Sequence, residues 1–451
     1  MIGNGRASVS AVADLSRANL ADMGAATPQA VKALASLGGW GQHTQNQERD
    51  LHKWVSNLFN VGLQTFDLDM DLQVPNKSGT EKMTIPFLLP HELFHALAEA
   101  GPAQFQLSMT GGRSCREIGS FWEHCFMQDE WKNHPAKHLS SVDRDRLIPI
   151  AIHIDGAEMY SNCEFMVWSI GSIFPSGEVW DVKFPICMIR HEWMADPEVK
   201  RAAHGTVAKV VSWSMRQALK GKMPTVGPFG EGLIGVRAER ASKLLANGWK
   251  FAYFTFRADC KARKEARNFD RSYQHVQICE ICCAERDSKH GDGSLSFKDF
   301  YPTAAHLLTQ FSHNDYLRAT SSVTPWASMP GFSALSALHD PMHCIYLGTC
   351  KELIASALGY WNHNSYLVGC NLQDRLRRVS FRLKASCKEA GVRGPFNTLT
   401  PSNTGLDKAD YPELGSSFKA CSVKSSLWFY AMFSSELARS HPEARSEHVK
   451  Q

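Results

Sequence analysis

Two stretches of the chain share one grammar, a short apolar run rich in β-branched and aromatic residues that ends in aspartate. The first is 147–160, LIPIAIHIDGAEMY, and the second is 249–259, WKFAYFTFRAD. Each is too short for an ordinary helix and too apolar for a half-exposed strand. Each therefore reads as a buried strand that carries one carboxylate, Asp155 or Asp259, at its C-terminal end, with Gly156 opening a turn after the first. Positions 155 and 259 are 104 apart, so the acids meet only in a fold that pairs these two strands.

The residues between them supply such a fold. Segments 164–173 (EFMVWSIGSI) and 180–188 (WDVKFPICM) read as strands joined by a turn at 176–177, which makes an antiparallel meander with the first. Segment 197–219 sets Val199, Ala203, Val207, Val210, Val211, Met215 and Leu219 on one side of a long helix. Segment 233–246 adds a strand and a short helix. Strand, strand, strand, helix, strand, with acids on the first and fourth strands, is the pattern of an α/β chain with an RNase H-like mixed sheet core, in which those two strands are neighbours. Paired carboxylates are the hard oxygen donors that Mg²⁺ or Mn²⁺ needs for phosphoryl transfer on nucleic acid.

The flanks extend this core. Residues 1–45, rich in Ala, Ser, Gly and Asn, read as a flexible tail with a short helix near 30–37. An N-terminal α+β region follows over 46–145. It holds a helix at 49–59, a strictly alternating strand at 66–74 (FDLDMDLQV), a hairpin partner at 81–88, a helix at 90–100 and an aromatic cluster of Phe121, Trp122, Phe126 and Trp131. The core spans 146–275. A mostly helical insertion over 276–400 contains helices at 304–311, 342–360 and 372–388, the last strongly basic. Residues 401–451 read as a closing helix at 418–437 and a polar tail from 441 on, without a capping element and so truncated.

Two further motifs have metal-ligand spacing. His91, Glu92 and His95 form an HExxH, the pattern of a zinc metalloprotease. It sits directly after Pro90 in the first turn of its helix, and no third ligand follows in the extended form, so a structural first turn with Glu92 at the positive end of the helix accounts for it better. Cys279 and Cys282 form a CxxC, with His343 as a candidate partner for Zn²⁺; the alternative is buried apolar thiols.

Composition sets the outer limits. The chain has 451 residues, 43% of them hydrophobic, a formal net charge of +4 and 13 cysteines. No run approaches the roughly 18 apolar residues of a membrane span, and the first 20 residues lack a secretory signal. The expectation is a soluble protein, nuclear or cytoplasmic, not secreted, with reduced thiols.

Taken in order, IPFLLPHELFHAL, FWEHCFMQDEWKNHP, LIPIAIHIDGAEMY, FRADCKARKEARNF, ICEICCAE and LHDPMHCIYLG form a series that resembles the CACTA-like DDE/D transposases and host proteins derived from them. The resemblance runs from about Arg49 to Tyr430. It implies Asp155 as the first catalytic acid and Asp259 as the second, a CxxC matched by Cys279 and Cys282, and a D-x-x-H matched by Asp340 and His343. The implied third acid falls near 416–424, which has none; Glu413 and Glu436 are nearest, and Glu413 is taken as the candidate. The implied activity is cleavage and joining of DNA strands with Mg²⁺ or Mn²⁺, by a protein that partners DNA; a homo-oligomer is compatible with the sequence, which does not set the oligomeric state. The chain departs from the pattern in having Ala-Asp-Cys for the usual Gly-Asp-Trp. It also lacks a separate N-terminal DNA-binding module. These departures make a catalytically dead, domesticated DNA- or protein-binding descendant the alternative, with the zinc metalloprotease as a third reading.

Overall fold

A computed structural model describes residues 9–23, 29–39, 63–74, 79–160, 163–175, 182–267, 275–286, 294–299, 301–319, 324–340, 342–392, 397–408 and 411–440, with the single residues 47, 50 and 271. The expected helix at 49–59, the turn at 176–177 and the tail from 441 on lie outside the described residues. The chain divides into two compact units, 1–338 and 339–451. The division falls inside the stretch expected to be a helical insertion.

The first unit is mixed α/β. β1 (Phe66–Gln73) and β2 (Thr80–Phe87) pair as an antiparallel hairpin. The alternation in β1 buries Leu68, Met70 and Leu72 and leaves Asp67, Asp69 and Asp71 in water. The second sheet has β3 (Leu147–Tyr160), β4 (Cys163–Ser172), β5 (Phe184–Arg190), β6 (Lys250–Ala258) and β7 (Ala337–His339), in the order β5-β4-β3-β6-β7. β4 runs antiparallel to β3, β5 antiparallel to β4, and β6 parallel to β3. The meander and the pairing of the two aspartate-bearing strands are thus both formed.

Helix Pro197–Lys220 crosses between β5 and β6. Proline occupies its first turn, Asp196 caps it by accepting from Glu198 N at 2.8 Å and Val199 N at 3.1 Å, and Gly221 ends it with φ 71°. Its buried face, with Val207, Val210, Val211 and Met215, shares one core with Ile148, Ile150, Ile152 and Ile154 of β3 and Phe251 and Phe256 of β6. The hairpin and helices Pro90–Glu99 and Cys115–Cys125 contribute to the same core. The described residues of 66–145 therefore share a core with the sheet.

Three sequence expectations are corrected. β3 does not end at Asp155: it continues to Tyr160, and Gly156 stands within it opposite Met166. A Cβ at Gly156 would lie 2.5 Å from Glu164 Oε1, so glycine admits a side chain from the neighbouring strand. The N-terminal stretch holds the short helix expected near 30–37, as Gln29–Ala35, and a further helix, Val9–Met23, where a flexible tail was expected. Arg17 joins them, donating from Nε to Ala35 O at 3.0 Å and from Nη2 to Leu37 O at 2.8 Å, which satisfies carbonyls at the end of the second helix. The expected helix over 342–360 breaks at Gly348 into a wide-turn segment, Met342–Thr349, and a regular helix, Cys350–His363.

The second unit is helical. Cys350–His363, Leu372–Glu389 and Ala420–Ser440 surround a core of Ile354, Leu358, Trp361, Leu376, Leu383, Val423, Phe429 and Phe433. Among the described residues, no helix of either unit is long and apolar enough to cross a membrane.

Three histidines of the first unit are buried neutral. Burial drives His91 down to about 3, His134 to about 4 and His204 to about 3. In His134 the ring is fixed as one tautomer, Nδ1 accepting from Ala136 N at 3.1 Å and Nε2 donating to Tyr253 O at 2.9 Å. Each ordinary value is 6.5, so below pH 6.5 the unfolded chain binds protons that the folded chain refuses. Stability is therefore full above that pH and falls as the pH drops toward 4. The urea midpoint should decrease from pH 7.5 to pH 5, and an unchanged midpoint would contradict the neutral assignment.

Candidate functional site

The β3–β6 ladder positions the two acids. Up to Ile150 the partners are 103 positions apart, with Ile150 opposite Tyr253; from Ala151 on they are 104 apart, with Ala151 opposite Thr255. Phe254 is the extra residue, a bulge in β6. Beyond it His153 faces Arg257 and Ile154 faces Ala258. The next residue in each case is an aspartate, Asp155 within β3 and Asp259 directly after the end of β6. Without the bulge, Asp155 would stand beside Ala258 and Asp259 would belong to the opposite face.

The bulge has its own support. Trp131 donates its indole N–H to Phe254 O at 3.1 Å and stacks on the Phe254 ring at 4.5 Å with the planes 2° apart. Trp122 donates to Leu147 O at 2.7 Å, at the start of β3. The aromatic cluster read from the sequence as core thus also satisfies backbone groups of both acid-bearing strands.

Asp155 and Asp259 are both half-buried. Asp259 occupies the N-cap of helix Cys260–Arg267, with Oδ1 accepting from Ala262 N at 2.6 Å and its carbonyl accepting from Arg263 N at 2.9 Å. On the face that bears Asp155, two residues upstream, His153 Nε2 accepts from Lys183 Nζ at 3.2 Å, and Arg257 stands opposite His153. The sequence reading passed over His153, Lys183 and Arg257. Period-two alternation would have found His153 and Arg257, each two residues before an aspartate; Lys183 had no such signal.

Helix Cys260–Arg267 is fastened from behind. Arg263 and Arg267 are buried, and both meet Glu280, Arg263 Nε to Oε1 at 2.5 Å and Arg267 Nη1 to Oε2 at 3.1 Å. Arg267 also lies 4.6 Å from the centre of the Tyr316 ring. This basic helix thus turns two of its arginines inward.

Glu280 belongs to the CxxC turn. Arg286 N donates to Val276 O at 2.8 Å and Ile278 N to Ala284 O at 3.1 Å, which closes a small hairpin with Cys279 and Cys282 at its tip. The Cys282 thiol donates to Cys279, and Ile281 N reaches Cys279 Sγ at 3.5 Å. These donors hold the Cys279 thiol down to about 6, and the same bond, with burial, raises Cys282. Two thiols so presented are half of a tetrahedral zinc set. His343 lies in the second unit, its Nδ1 2.7 Å from Asp340 Oδ2. Glu413 also belongs to the second unit and is exposed, and Glu436 there is ion-paired with Arg382. Among the described residues, no three His, Cys, Asp or Glu side chains gather as a metal site.

The HExxH side chains are each held by a neighbouring element. His91 has no exposed surface, its Nδ1 lies 2.7 Å from Ser214 Oγ, and its ring packs edge-on to Trp213. Glu92 is held by Arg237 through two bonds of 2.7 and 2.9 Å. His95 Nδ1 accepts from Ala246 N at 3.0 Å, and Nε2 meets Glu99 at 3.1 Å. All three side chains have partners within the fold.

No protein-family model matches the chain, and no curated protein matches it in sequence.

Two measurements check this geometry. Trp131→Phe keeps the stack but leaves the Phe254 carbonyl without its donor; it should cost about 1–3 kcal/mol in chemical unfolding, whereas a silent substitution would mean that the bulge stands without it. At the CxxC, the iodoacetamide rate at Cys279 should titrate with a midpoint near 6, and Cys282→Ala, which removes the donor, should move the midpoint upward. An identical midpoint in the variant would contradict the thiol–thiolate bond.

Proposed function

We propose that the chain is a transposase-derived protein that cleaves and transfers DNA strands, using Asp155 and Asp259 on an RNase H-like core. The observation that supports this reading is the 104-residue register beyond the Phe254 bulge, with His153 opposite Arg257 and Ile154 opposite Ala258, after which Asp155 and Asp259 are the next residues along the chain. The strand order β5-β4-β3-β6-β7, with the antiparallel meander on one side of β3 and the parallel strand on the other, also supports it.

The donor set fits a divalent cation. Mg²⁺ is commonly held by one or two carboxylates, with water and substrate phosphate oxygens in its other positions, and two neighbouring aspartates supply that much. Bound there, Mg²⁺ or Mn²⁺ supplies activation of the attacking oxygen and stabilisation of the leaving one. The residues themselves orient the site. The cap bond from Ala262 fixes the Asp259 carboxyl, and the Lys183–His153 pair with Arg257 places positive side chains upstream of Asp155, suited to phosphate oxygens. Zn²⁺ on the Cys279–Cys282 turn belongs to the same reading as a structural ion.

One observation favours a second reading, a DNA-binding descendant without catalysis. Asp259 Oδ1 is engaged as a helix cap, and among the described residues no third acid joins the pair. A nicking assay on supercoiled plasmid separates the two. The full chain should nick in Mg²⁺ or Mn²⁺ and lose the activity roughly 100-fold or more in Asp155→Asn, as removal of a metal-site carboxylate does. Equal nicking by both proteins would sink the acid-pair site, and DNA binding without nicking in either would establish the second reading.

A further inference from the structure

The second unit carries a surface that its own core does not use. Helix Leu372–Glu389 buries Leu376, Val379, Leu383 and Cys387. Its outer side exposes Arg377, Arg378, Phe381, Arg382, Lys384 and Lys388. Residues 377, 381, 384 and 388 are spaced four, three and four, so they form one stripe about 16 Å long at the helical rise. Phe381, in the middle, is 78% exposed. An apolar ring left in water between cations has no packing role in this unit.

The arginines are oriented in advance. Arg377 and Arg378 both meet Asp374 at 3.0 Å and hold its carboxyl down to about 2. Arg382 pairs with Glu436 and lies 4.8 Å from the centre of the Phe433 ring. Such exposed pairs are weak, and a chain of phosphates competes for the same guanidinium groups with bidentate geometry.

We propose that this stripe binds single-stranded nucleic acid, with the cations on successive phosphates and Phe381 stacked on an unpaired base. The combination selects the ligand. A duplex offers phosphates but keeps its base faces inside the stack, which leaves Phe381 without a partner. A membrane surface needs a continuous apolar face, whereas here the apolar side of the helix is in the core and one ring projects. Only a single strand presents phosphates and open base faces together. The proposal extends the nucleic-acid reading above and does not depend on Asp155 or Asp259.

The test uses the full chain carrying Asp155→Asn, in EDTA, so that the loss of cleavage has no bearing on it. Binding to a labelled oligothymidylate and to a duplex of equal length is read by anisotropy. The single strand should bind more tightly. Phe381→Ala should weaken it roughly five-fold or more, with Phe381→Tyr restoring it. The double variant Lys384→Gln with Lys388→Gln should lower the slope of log K against log salt by about 1.4. Because Phe381 is exposed, the melting temperature of Phe381→Ala should match the parent, which separates lost binding from lost folding. The proposal is overturned by absence of single-strand binding, by equal affinity of Phe381→Ala and parent, or by displacement of the strand by polyglutamate or phosphatidylserine vesicles as readily as by unlabelled oligothymidylate.

Discussion

In β6 one residue, Phe254, stands outside the ladder with β3, and everything downstream of it is turned by half a pleat relative to its partner. A strand has two faces and a period of two, so a one-residue slip reverses which side chains meet. Here the slip puts Arg257 beside His153 and Ala258 beside Ile154, one residue before each aspartate. The cost is a carbonyl lost from the ladder and an aromatic ring without its place in the pleat. Trp131 meets both needs, its N–H on the carbonyl and its ring on Phe254. The bulge is thus contacted by a residue more than a hundred positions away from Asp259 and outside the two strands.

Burial of charge fixes the other side of the pair. The helix that begins at Asp259 carries two arginines, Arg263 and Arg267, almost wholly out of water. Buried guanidinium groups are stable only with a partner of opposite sign, and Glu280 serves both. Glu280 is also the residue after Cys279, so the turn bearing the thiols and the helix bearing the cap residue are joined by one carboxylate. Its removal would take this ion pair from both arginines, and the CxxC would lose the contact that holds it against the helix.

Much of the fold was legible because it follows from local pattern. The hairpin at 66–87, the meander of β3 to β5, the helix after Pro197 and the second aspartate strand all stand where alternation, helical spacing and capping residues put them. Their pairing was legible from the aspartates, since only adjacency gives two buried-type strands with terminal acids a common purpose. What the sequence concealed is non-local. The continuation of β3 past Gly156 follows from its pairing with β4, Gly156 opposite Met166 and Ala157 opposite Phe165, and helix Val9–Met23 meets the second helix through Arg17. The Phe254 bulge leaves no mark in WKFAYFTFRAD, whose residues suit either register. The site was legible as two residues and hidden as an environment, because His153, Lys183, Arg257 and Trp131 reach it through cross-strand contacts.

Asp259 holds two tasks that pull in different directions. As an N-cap it needs an oxygen aimed at Ala262 N, a bond typically worth about 1 kcal/mol. As a cation ligand it needs a negative charge aimed out of the sheet beside Asp155. A carboxylate has two oxygens and can serve both, one for each task, and asparagine can serve only the first. The cap also gives the second task a rigid base, since a carboxyl held at its N-cap loses little further freedom when it meets a cation. The conflict lies in the charge, because the helix N-terminus attracts the same negative charge that a cation would. The bond to Ala262 is thus both the orientation that a two-acid site requires and the structural use that would preserve Asp259 after such a site had lost its chemistry.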